Sequence, residues 1–205
     1  MRVCLTGGIA CGKSLLSCYL NELGVETIDA DDVVHELIPD AAERRRIAAE
    51  VFADPAKRRE LEAKIHPLVK ARIEAFLSGG SELSGNSGDA GFSGDAGNSG
   101  FSGNSGDAGN SEFRLAIIPL LFEVHWDSEY DIICCVVSER ETQISRMMTT
   151  RGYPREEAEA RLAAQLPIEE KAARSHYVIN NEGTTEELKE QARKFVAWLK
   201  SATTR

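Results

Sequence analysis

The run Gly7-Gly8-Ile9-Ala10-Cys11-Gly12-Lys13-Ser14 has the spacing G-x-x-x-x-G-K-[ST]. That spacing suits a polyphosphate. Glycines let the backbone wrap an anion with its N–H groups turned inward, and a helix that follows adds its positive end. In this register the residues from Gly8 through Ile9, Ala10, Cys11, Gly12, Lys13 and Ser14 to Leu15 line a bound nucleotide. Lys13 reaches the β and γ phosphates, and the Ser14 hydroxyl holds Mg²⁺. The pattern implies nucleotide binding and leaves the reaction open.

Asp29 and Asp31, in Ile28-Asp29-Ala30-Asp31-Asp32, alternate at the end of a second apolar run. A carboxylate there can take the proton of a substrate hydroxyl during phosphoryl transfer. The residue types allow a second reading, in which Asp31 or Asp32 caps the following helix. Arg146, Arg151, Arg155 and Arg161 fall on a helical hairpin later in the chain. Arginines on a lid can neutralise a migrating phosphoryl group. The alternative is a solvated face paired with Glu156, Glu157 and Glu159, which fits Arg155 best.

These residues need elements to position them. Arg2–Thr6 reads as a buried strand entering the glycine turn, Ser14–Leu23 as a helix stopped at Gly24, and Val25–Ile28 as a second strand. So short a strand–helix–strand unit is parallel and right-handed. Helices are predicted over 31–38, 41–53 and 55–77, the last opened by Asp54-Pro55 and interrupted at Pro67. Strands follow at 115–118, 131–137 and 177–179, with helices at 139–150, 154–166 and 185–200. The expected class is α/β, a parallel sheet flanked by helices, with a helical insertion after the second strand. Ligands in such sheets bind at the carboxyl ends of the strands, where the glycine turn and the aspartates both fall.

Composition contributes mostly exclusions. The chain has 205 residues and a net charge of −9, which makes nucleic acid and anionic membrane poor partners. It has no apolar run long enough to span a bilayer, and its first residues lack the pattern of a secretory signal. The five cysteines show no zinc spacing. Cys4, Cys134 and Cys135 lie in apolar runs and read as core, and a cytoplasmic setting is expected. Eleven of the 17 glycines lie between Ser78 and Ser111, recurring every third residue from Gly85 to Gly109. No proline accompanies them, so a collagen helix is disfavoured and 78–111 reads as a disordered, solvated insert. The chain is otherwise a single domain, 1–205.

Taken together, LTGGIACGKS at 5–14, ETIDADDV at 26–33, IHPLV at 65–69, IIPLLFE at 117–123, the pair Arg146 and Arg151, RLAAQLP at 161–167 and YVINNEG at 177–183 resemble the dephospho-CoA kinase family. The resemblance implies a P-loop kinase fold with a helical CoA-binding part at 39–77 and a lid at 139–174. It implies ATP and Mg²⁺, the acceptor 3′-dephospho-CoA, and transfer of the γ-phosphoryl group to the acceptor's ribose 3′-hydroxyl. A monomer is expected. Asp31 becomes the general base with Asp29 in support, and Lys13 and Arg151 stabilise the transfer. Arg44, His66 and Glu123 fall on the substrate side, and Arg146 and Arg161 on the lid. Asn180 is open between an adenine contact and a turn residue. The alternative is another small P-loop kinase acting on a nucleoside, a nucleotide or a small metabolite, which would share the loop, lid and aspartates but lack the joint His66-Pro67 and PLLFE pattern. A GTPase switch would need an N-K-x-D motif, which the sequence lacks.

Three positions depart from the family pattern. Ala10 and Cys11 stand where Gly and Ser are usual, and Leu15 where Thr is usual. Loss of that hydroxyl predicts weaker nucleotide binding. A thiol near a helix N-terminus predicts a reactive Cys11 thiolate. The run from Ile38 to Arg44 is also short, which trims the expected CoA-binding part.

Overall fold

The computed structural model describes residues 1–40, 42–44, 46, 47, 50, 54–79 and 113–203. The glycine repeat therefore lies outside the described residues, as does much of the predicted helix at 41–53. Five strands, β1 (Val3–Gly7), β2 (Val25–Asp29), β3 (Phe113–Ile117), β4 (Ile132–Val137) and β5 (Tyr177–Asn180), form one parallel sheet in the order β2-β3-β1-β4-β5. All of β1 and nearly all of β4 is buried, as unbroken apolar runs in a two-faced parallel sheet must be. The central strand β1 has the first two strand partners in the chain on one side and the last two on the other. Its carboxyl end, the glycine loop, thus opens into the crevice where the strand order reverses.

Helices with described bounds are α1 (Lys13–Glu22), α2 (Ala30–Leu37), α3 (Pro55–Leu77), α4 (Arg140–Arg151), α5 (Arg155–Ala163), α6 (Ile168–Ala173) and α7 (Thr185–Thr203). One core layer joins α1 and α7 to the sheet through Leu16, Leu20, Leu188, Phe195 and Leu199. The opposite layer packs Val69 and Ile73 of α3 against Ile118, Leu121, Phe122 and Trp126. A small third cluster, Ile144, Met147 and Ala158, holds α4 to α5 and reaches Ile9 and Ala10 of the loop.

One local expectation fails. The helix α3 runs through Pro67 without ending. Proline removes a single backbone donor, while Ile65, Val69, Ile73 and Leu77 repeat at helical spacing on the packed face. Tertiary burial along that seam outweighs the lost bond. The start of α3 agrees with the sequence: Asp54 accepts from the Ala56 N–H at 2.8 Å. The second lid helix ends at Ala163, short of Leu166, and the linker 164–167 is free for another use.

Candidate active site

From Gly7 to Cys11, a side chain takes every carbonyl of the loop. Lys13 Nζ donates to Gly7 O at 3.0 Å and Gly8 O at 2.9 Å. Gln143 Nε2 donates to Ile9 O at 2.8 Å, Arg146 Nη1 to Ala10 O at 3.3 Å, and Asn181 Nδ2 to Cys11 O at 2.9 Å. With the carbonyls turned outward, the N–H groups turn in. Those of Ala10, Gly12, Lys13 and Ser14 have no partner among the described residues. The helix α1 has no side-chain cap and no acidic residue in its first turn, so its positive end is left to an anion.

Close approach explains two of the glycines. A Cβ at Gly8 would meet Gln143 Nε2 at 2.4 Å, and one at Gly12, where φ is +90°, would meet Asn181 Nδ2 at 2.2 Å. Ala10 has φ +58°, the left-handed conformation that a glycine adopts more easily. Its carbonyl bond to Arg146 and its packing against the cluster of Ile144, Met147 and Ala158 hold it there.

The loop faces a cavity of about 420 Å³ that Lys13, Ser14, Asp29, Asp31, Arg146 and Arg151 line together with Gln165 and Pro119. Asp29 caps α2, accepting from the Asp31 N–H at 2.8 Å, so capping falls to Asp29 and not to Asp31 or Asp32. Burial is the main cause that lifts the Asp29 carboxyl to about 6. Asp31 sits in the first turn of α2 with its side chain exposed on the cavity. Burial also lowers the pKa of Lys13, and the nearby Asp31 and Asp29 oppose that shift. Arg151, exposed at the end of α4, has no hydrogen bond or ion pair among the described residues. Arg146 has three bonds: to Ala10 O, to Ser138 Oγ at 2.9 Å and to Asn181 O at 2.7 Å.

The other expected site residues lie off the cavity wall. Arg44 donates to Ile38 O and Pro39 O at the end of α2. His66 packs edge-on against Trp126 at 5.1 Å. Arg161 pairs with Glu157 and lies over the Tyr153 ring. Arg155 pairs with Glu141 and Glu159, the solvated face its neighbours implied. Glu123 binds the fully buried Lys171 at 2.6 Å and accepts from the Leu166 N–H at 3.1 Å. Asn180 belongs to β5 itself, and its side chain accepts from the Glu182 N–H in a turn.

Cys11 overturns an expectation. Its thiol is fully buried and contacts Gln143 Nε2 at 2.9 Å. Burial, the largest cause, raises its pKa despite the neighbouring Lys13, so a reactive thiolate is disfavoured. The exposed thiol is Cys18, on α1.

The family model of dephospho-CoA kinase matches residues 1–43 and 105–187. The chain belongs to the dephospho-CoA kinase family. The matched residues hold the whole loop, Asp29, Asp31, Glu123, Arg146, Arg151 and Arg161, whereas Arg44 and His66 lie outside them. A dephospho-CoA kinase of Geobacter sulfurreducens is 34% identical across 90% of this chain and 91% of its own length. One from a Synechococcus strain is 35% identical across 92% and 88%. Among solved structures, TT1252 from Thermus thermophilus superposes with a TM-score of 0.71 at 27% identity, covering 97% of both chains. A shikimate kinase from Acinetobacter baumannii, at 0.58 and 15%, shares the fold. The P-loop kinase architecture expected from the sequence is therefore the one present. No described helix is long and apolar enough to cross a membrane.

Sequence reasoning missed the grip on the loop. Gln143, Gln165, Asn181 and Lys171 reach it or its supports from far along the chain. The segments RLAAQLP and YVINNEG already contained Gln165 and Asn181, and that is the signal through which they were accessible.

Proposed function

We propose that the chain transfers the γ-phosphoryl group of ATP to the ribose 3′-hydroxyl of 3′-dephospho-CoA, giving coenzyme A and ADP. One observation carries this reading. Within a family-matched framework, a single cavity brings the loop donors and Lys13 together with the Asp31 carboxylate and the unpaired Arg151. Asp31 takes the hydroxyl proton as the hydroxyl oxygen bonds to the γ-phosphorus. The bond from that phosphorus to the bridging oxygen breaks, and ADP leaves. Asp29 fixes the first turn of α2, and with it Asp31. Lys13 and Arg151 balance the charge on the migrating group.

The residues also suit Mg²⁺. That ion takes oxygen ligands and keeps few of them from protein, and Ser14, Asp29 and Asp31 offer such oxygens on the cavity. Bound with Ser14 as a ligand, Mg²⁺ would neutralise phosphate oxygens. Arg44, His66 and Glu123 act indirectly on this reading: Arg44 closes the end of α2, His66 packs α3 on Trp126, and Glu123 anchors the linker at Leu166.

Asp31→Asn tests the base. It is expected to lower kcat by about 10²-fold or more while ATP affinity stays within about twofold. A near-normal kcat would leave Asp31 as an ordinary helix residue and remove the base from this reading.

A further inference from the structure

The linker between α5 and α6 is fixed at two consecutive residues. Leu166 donates its N–H to Glu123, which is paired with the buried Lys171, and Lys171 Nζ also donates to Pro119 O at 3.1 Å. Gln165 Oε1 accepts from the Ile9 N–H at 3.0 Å. Because Ile9 N is a donor, the carboxamide must present its oxygen to the loop. Its NH₂ then faces away from Ile9, on a side chain that lines the phosphate cavity. That NH₂ has no partner among the described residues.

Position along the loop says which phosphate it meets. The free N–H groups of Gly12, Lys13 and Ser14 sit at the helix end and suit the inner phosphates. Ile9 lies at the other end of the loop, with Gln165 beyond it. A chain of phosphates running outward from α1 along the loop would bring its last member to the Ile9 end, where Gln165 lines the cavity.

We infer that Gln165 is a further phosphate-binding residue, whose NH₂ donates to the terminal phosphate of the bound nucleoside triphosphate while its oxygen fixes the loop at Ile9. This rests on the ATP site proposed above. The linker's attachment to the Glu123–Lys171 pair gives the carboxamide its fixed place, and Gln143 holds Ile9 O from the other side.

The test is calorimetric titration of the full chain with ADP and with a non-hydrolysable ATP analogue. Hydrogen bonds to charged groups are worth about 1.5–3 kcal/mol. Gln165→Met is therefore expected to bind the triphosphate at least about tenfold more weakly, with ADP within about twofold. Gln165→Glu keeps the oxygen that Ile9 uses and loses the donor. It is expected to show the same selective loss, so the test stands if the Met variant fails to fold. Equal losses for both nucleotides in Gln165→Met, or wild-type triphosphate binding in either variant, overturn the inference and leave the proposed activity standing. A wild-type chain that binds neither nucleotide overturns both.

Discussion

On the nucleotide side of the cavity, the backbone carbonyls from Gly7 to Cys11 are held by side chains from three elements: Lys13 of α1, Gln143 and Arg146 of α4, and Asn181 in the turn after β5. On the side of α2 and α3, exposed or half-exposed charges pair over an apolar seam of Val33, Val69 and Ile73, such as Arg72 with Glu36 at 3.5 Å, and Arg44 donates to the end of α2. The first region has its shape before any ligand arrives, because each carbonyl is already satisfied while the N–H groups of Ala10, Gly12, Lys13 and Ser14 have no partner among the described residues. The second presents helix faces whose polar groups are partly spent on one another. Catalysis by position needs the first kind of wall under the phosphates.

The largest effect is expected from Gly12→Ala. It puts a Cβ at a φ of +90° and 2.2 Å from Asn181 Nδ2, combining backbone strain with a lost carbonyl clamp. Together these are worth roughly 2–5 kcal/mol, so ATP affinity should fall by about 10²-fold in a fluorescent-nucleotide titration. Wild-type affinity would mean that the clamp does not set the loop's shape.

Asp29, at the seam between the two sides, gives the next effect. Its carboxyl is raised to about 6 in the folded chain, above the ordinary value of 3.8. The folded state therefore holds that proton more tightly, and Asp29 costs stability as pH rises from about 4 through about 6. Asparagine caps a helix equally well. Asp29→Asn should thus be more stable than wild type by on the order of 2 kcal/mol at pH 7.5, and nearly equal to it at pH 4. Denaturant melts at the two pH values check this. If activity needs the Asp29 carboxylate, wild-type kcat/KM falls as pH drops through about 6, and the variant shows a low, flat profile over that range.

Smaller effects are expected at the end of α2 and at Ala10. Arg44→Ala removes the donor that caps Ile38 O and Pro39 O. It is expected to cost about 1 kcal/mol of stability and to change the KM for ATP by less than about twofold. A large loss of ATP binding would break the division between the two sides. Smallest of all, Ala10→Gly relieves the left-handed strain at φ +58°. It should stabilise the chain by no more than about 1 kcal/mol, visible as a small rise in melting temperature.

The legibility of the sequence divides along the same line. The cradle is a contiguous run with a local reason for each glycine and for Lys13-Ser14, so its place between β1 and α1 could be read directly. The alternating aspartates could be read too, though which of them caps α2 depends on backbone angles that residue types do not carry. The role of the grip was not readable from spacing, because Gln143, Gln165 and Asn181 act across 134, 156 and 170 residues of chain, although two of them stand in segments that carry the resemblance. Pro67 misled because a local rule met a packed helical face. Cys11 misled because proximity to a helix end says nothing about burial, and in this chain burial dominates.

One cavity that joins ATP to the 3′-hydroxyl of dephospho-CoA has a direct chemical consequence. The most direct measurement incubates the purified chain with Mg-ATP and 3′-dephospho-CoA, with adenosine, AMP and shikimate in parallel, and follows ADP release and the phosphorus NMR spectrum. ADP and a new 3′-phosphomonoester are expected in equal amounts from dephospho-CoA, with little transfer to the others. No transfer to dephospho-CoA, or preferred transfer to another of the acceptors, would contradict it.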